Sequence, residues 1–148
     1  MIKYVHPIAG AVAILTIGTF WLSTVFSEMV GSQSTIVAVK TAIPWGFLLL
    51  IPAIAIAGGS GFALAKGHRG GPIGGKVKRM PLLAANGLLI LIPSALYLSF
   101  KANAASFDAA FYTVQAIELL AGAANITFLG LNMRDGLKMK GRLRRKAS

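Results

Sequence analysis

The chain is 148 residues long, 55% hydrophobic and only 13% charged, too little charge to cover an ordinary water-soluble surface. It has a formal net charge of +11 and no cysteine, which excludes disulfides, thiolate metal sites, iron–sulfur clusters and cysteine-attached haem. Two histidines and four carboxylates leave material for only a sparse catalytic or metal site.

Four apolar runs follow one another, at about residues 5–30, 35–65, 81–100 and 107–133. Each reaches the ~20 residues a helix needs to cross the hydrocarbon of a bilayer. The first is too long and too evenly apolar for a signal-peptide core, and only Lys3 precedes it. Pro44 and Pro52 in the second run and Pro93 in the third predict kinks, because proline removes a backbone hydrogen bond. The turns Met29 to Ser34 and Lys101 to Ser106 are short. Between the second and third runs lies the glycine-rich loop Gly67-His68-Arg69-Gly70-Gly71-Pro72-Ile73-Gly74-Gly75. It lacks the lysine and hydroxyl of a phosphate-binding loop. Short connections predict an all-α, integral-membrane, up-down-up-down four-helix bundle in one domain, residues 1–148. The basic tail, 134–148, carries Leu137, Met139 and Leu143, which suit a membrane interface.

Charge sets the expected orientation. Lys3, Lys66, Arg69, Lys76, Lys78, Arg79, Arg134, Lys138, Lys140, Arg142, Arg144, Arg145 and Lys146 fall on one side of such a bundle, and only Lys40 and Lys101 on the other. The basic side belongs in the cytoplasm, with both termini, in a bacterial inner membrane. The net charge is then topology and contact with anionic lipid, and no aromatic interleaving supports nucleic acid as a partner.

Polar residues inside the apolar runs carry most of the functional information, because they are expensive in lipid. Gln115, Glu118, Gly122, Asn125, Leu129 and Asn132 recur in steps of three and four, so they share one seam facing the bundle interior or a partner subunit. Glu118 lies about eleven residues from the outer end of its helix, roughly 17 Å in. With Lys40 and Lys101 placed near the outer face, no cation is expected at its depth. Glu118 is therefore read as a neutral, hydrogen-bond-donating acid. With Gln115 and Asn125 it forms the candidate catalytic or proton-handling set. Asn86 and Asn125 fall at similar depth and are expected to bond. Glu28 and Lys40 flank the first outer turn, where they are positioned to pair.

His6 and His68 fall at the cytoplasmic face. There every helix is poor in bulk: Ala9, Gly10 and Ala13; Gly58 to Gly61; Ala84, Ala85 and Gly87; Gly122 to Ala124. The plain reading is close helix approach. The chemical reading is room for a flat cofactor, haem b, against Gly10, with His6 as the metal ligand and His68, Met80 or Met133 opposite.

The runs Tyr4-Val5-His6-Pro7-Ile8-Ala9-Gly10 and Leu131-Asn132-Met133-Arg134-Asp135-Gly136 resemble terminal signatures of small four-span membrane proteins of bacteria. The four-helix plan with an inward His6 also resembles the membrane bundles of b-type cytochromes, although the paired histidines within their helices are missing. Three functions follow as expectations. One is a haem b- or quinone-handling electron-transfer bundle using His6 and Glu118. Another is an accessory subunit whose polar seam meets a larger membrane complex or a second copy. The third is a small proton-coupled transporter or channel using Glu118, Gln115 and Asn125.

Overall fold

The computed structural model describes residues 1–65 and 71–146, with the side chains at 71–73, 76, 139, 140 and 142–146 excepted. His68 lies outside the described residues, as do Lys66 and Arg69 of the same loop. The described chain is helical, without strands. Helix α1 spans Ile2–Val30, α2 Gln33–Ala65 and α3 Gly71–Asn86; a π-helical turn, Gly87–Leu91, joins α3 to α4, Ile92–Asn103; and α5 spans Ala109–Lys146. Four stretches are long and apolar enough to cross a membrane: Ile2–Val30, Gln33–Ala65, Val77–Asn103 and Ala109–Lys138.

Helices extend past the apolar runs at several ends. α1 starts at Ile2, so Pro7 lies inside the helix rather than at its start. The second half of the glycine loop is the first turn of α3, opening on Gly71 and Pro72. Proline suits that position, where its missing N–H has no intrahelical partner to lose. The basic tail continues α5 to Lys146. α2 stays one helix through Pro44 and Pro52. The third apolar run is instead interrupted by the π turn, directly before Pro93, which has no N–H to return to the preceding turn.

α1 and α2 form an antiparallel hairpin. Thr24 meets Lys40 beside the turn, and His6 meets Ser60 at the other end. The turn needs glycine at position 31, since a Cβ there would strike the Ser27 carbonyl. Ala13 and Ile17 pack on Leu50 and Ala53, with Phe20 and Phe47 in edge-to-face contact beside them. A second cluster near the turns joins Ile36, Leu98, Ala102 and the fully buried Phe111. Asp108 caps α5 by accepting the Phe111 N–H at 2.9 Å. The Lys101 ammonium, 2.6 Å away, together with that N–H, holds the Asp108 carboxyl below the usual carboxylate range. Outward faces remain apolar, with Leu22, Phe26, Trp45, Leu48 and Leu120 all exposed.

Candidate functional site

The α5 seam faces the bundle interior. Gln115, Gly122, Asn125 and Asn132 are buried along it, and Leu129 packs against the α1–α2 core. The periodicity continues to Asp135, which is also buried. Each polar member except Gln115 meets a side chain from another helix.

At the centre, the Glu118 carboxylate accepts from the Lys40 ammonium at 2.6 Å. The Lys40 side chain is 1% exposed and that of Glu118 12%. Lys40 also donates to Thr24 Oγ1 at 3.4 Å. This corrects two expectations. Glu118 has a cation, so it is not an unpaired acid. Lys40 directs its ammonium into the bundle, where it pairs with Glu118 and not with Glu28. The reason is reach: a lysine carries its charge several ångströms from its backbone, and here the chain is directed along the bundle interior. Depth judged from the position of the backbone alone missed it. The one available signal was that Thr24, Lys40 and Glu118 all lie in apolar runs and offer a donor and two acceptors.

A cavity of about 50 Å³ adjoins this pair, walled by Trp21, Phe20, Phe47, Leu91, Glu118 and Gly122 among others. It has room for a few waters at ~10–15 Å³ each. Trp21 closes one side by donating its indole N–H to the Leu119 carbonyl at 2.9 Å. Its ring lies on Gly122, where a Cβ would come within 3.0 Å of Cδ1. The glycine of the seam is therefore a seat for tryptophan. The π turn contributes Leu91 to the same wall.

Further along the seam, Asn86 donates from Nδ2 to Asn125 Oδ1 and to the Ala121 carbonyl, both at 2.8 Å. The expected asparagine pair is present. At the end bearing the N-terminus, Arg79 donates to Asp135 at 2.9 Å and to Asn132 at 3.3 Å. Sequence reasoning assigned Arg79 to orientation alone and stopped the seam at Asn132. The three-residue step from Asn132 to Asp135 was the signal that would have extended it.

Of the expected cofactor set, His6, Gly10, Met80 and Met133 are described, and His68 lies outside the described residues. His6 places Nδ1 3.0 Å from the Ala57 carbonyl and from Ser60 Oγ. Its ring and the Met80 thioether converge on Gly61: a Cβ there would lie 3.1 Å from His6 Cε1 and 3.5 Å from Met80 Sδ. The missing side chain of Gly61 is thus filled by imidazole and thioether, and the cavity near Trp21 has no histidine or methionine in its wall. Gly10 fronts open space, and Met133 is half exposed. No group of three histidine, cysteine or acidic residues suited to a metal occurs among the described residues. His6 retains the chemistry of an imidazole ligand, with its ring packed on Gly61 beside Met80.

Fold and site together define a class: an all-helical chain with four membrane-length apolar helices and a lysine–glutamate pair buried among them. No family model, curated protein or solved structure matches the chain. The arrangement must therefore be interpreted from its own chemistry.

Proposed function

We propose that this chain is a small proton-coupled transporter or channel of the bacterial inner membrane, crossing it four times up-down-up-down with both termini in the cytoplasm. Exposed apolar faces on every membrane-length helix support the lipid setting. The placement of thirteen basic residues toward one side supports the orientation, and anionic headgroups are their partners. A reporter enzyme fused after Ser148 should be active only in its cytoplasmic form. Activity of a periplasmic reporter at that position would overturn the orientation.

The observation that carries the functional reading is the Lys40–Glu118 pair. Removing two charges from water costs several kcal/mol per ion even after relaxation, and their attraction repays it only in part. Ionisable residues within membrane helices most often mark ion or substrate pathways. A proton arriving on Glu118 would neutralise the carboxylate and leave Lys40 as an uncompensated cation inside the bundle. That imbalance disfavours the packed state, so protonation is coupled to rearrangement. The adjoining cavity leaves space beside Glu118 in an otherwise largely apolar wall, and the asparagine and Arg79–Asp135 contacts continue the polar seam toward the cytoplasmic end.

The test is proton uptake into liposomes containing the purified protein and an internal pH dye. Wild type should acidify the lumen under an imposed gradient. The double variant Lys40→Met, Glu118→Leu, which removes both charges and strands neither, should insert and purify normally while losing that uptake. Equal uptake by the variant, or wild-type uptake no faster than that of empty liposomes, would sink the reading. The electron-transfer alternative, with haem b or quinone, has less support because His6 Nδ1 is engaged by Ala57 and Ser60 and its ring packs with Met80 on Gly61. The accessory-subunit alternative has less support because the seam is satisfied largely within the chain.

A further inference from the structure

α1 and α5 meet in regular steps. Trp21 seats on Gly122. Three residues on along α1 and four back along α5, Thr24 and Glu118 meet at the Lys40 ammonium. The same register carried one step further, four on along α1 and three back along α5, runs to Glu28 and Gln115. These two residues share an unusual property. Gln115 is 5% exposed, yet its Oε1 is buried with no hydrogen-bond partner, and so is Oε1 of Glu28. Two buried acceptors on neighbouring helices are costly unless something electropositive completes them.

The charge balance says what that something is. α1 packs on α2 and α5. From α2 the charged group facing this step of the register is Lys40, and from α5 it is Glu118; they neutralise each other. Lys101 and Asp108, at the other turn, are likewise paired. Among the described residues Glu28 has no ion-pair partner. A divalent ion would over-neutralise it beside Lys40, whereas a monovalent ion would balance it. Carboxylate and amide oxygens are hard donors that suit a small cation or a proton.

We propose that Glu28 and Gln115 form a binding station for one monovalent cation, a sodium ion or a proton, one step outside the Lys40–Glu118 pair. As a sodium site, the ion exchanges part of its water shell for the two Oε1 atoms. As a proton site, the proton adds to the Glu28 carboxylate, and the resulting O–H donates to Gln115 Oε1. The station rests on the transport reading and adds to it a second cation site beside the Lys40–Glu118 pair. Binding is measured without transport, so the two proposals fail separately.

The experiment follows thermal unfolding of the full chain in detergent. Sodium chloride is titrated against choline chloride at constant ionic strength, and pH is varied in choline alone. A sodium site gives a saturable rise in the unfolding midpoint that Glu28→Gln abolishes. A proton site gives no sodium response but a midpoint that rises as pH falls, and Glu28→Gln abolishes that rise. Gln115→Leu leaves the carboxylate in place and should shift either response to higher sodium or lower pH. This variant carries the test should Glu28→Gln not fold. Wild type and both variants responding alike to sodium and to pH would overturn the proposal and leave the two oxygens to ordinary water.

Discussion

Lys40→Met should lower the stability of the folded protein by about 3–5 kcal/mol, the usual cost of stripping a buried charge of its partner. Methionine keeps much of the length and packing of the lysine stem, so the loss isolates the charge. Glu118 cannot regain water easily at 12% exposure, and Thr24 offers it no cation. The double variant Lys40→Met, Glu118→Leu should recover most of the loss, because replacing a whole buried pair with apolar groups is often close to neutral. Denaturant unfolding of the two single variants and the double variant closes a double-mutant cycle. A single variant as stable as wild type, with no coupling in the cycle, would mean that the two side chains do not pair.

The second large effect is steric. Gly46→Val should destabilise the chain by about 1–3 kcal/mol, the range for overpacking a filled interior. A Cβ at position 46 would fall 2.6 Å from Phe20 Cε1 and overlap Cζ. The phenyl ring cannot retreat freely, because it lies edge-on to Phe47 at a centroid distance of 6.2 Å. It also walls the cavity beside Glu118, so the displaced ring should narrow that space. Phe20→Ala in the Gly46→Val background should restore stability relative to the sum of the two single changes. Strict additivity in the unfolding measurements would place position 46 away from Phe20 and break the α1–α2 register.

The two effects have different origins in the chain, and so had different visibility. Four membrane-length helices were legible because the signal is additive: long runs of apolar residues decide the element whatever packs against it. The α5 seam was legible for the same reason. Spacings of three and four residues put Gln115, Glu118, Asn125 and Asn132 on one face without knowledge of any partner. The Asn86–Asn125 bond followed from depth alone, since both are short side chains whose polar atoms stay near their backbones.

The partners of long side chains were decided only by tertiary structure. Lys40 and Arg79 each hold a charge at the end of a flexible stem, so backbone depth does not locate it. Lys40 reaches inward to Glu118 and Thr24, and Arg79 to Asn132 and Asp135. The small residues were equally ambiguous on sequence grounds. Gly61 and Gly122 are absences of side chain, and only the packing says what fills them: the His6 ring with Met80 at one, the Trp21 ring at the other. The break in the third apolar run took a form, a π turn from Gly87 to Leu91, that Pro93 announced without specifying. Composition and period therefore determined the helices and their inward faces. The meeting of charges depended on three-dimensional register, because it arises from residues far apart in the chain whose side-chain ends, not their backbones, come together.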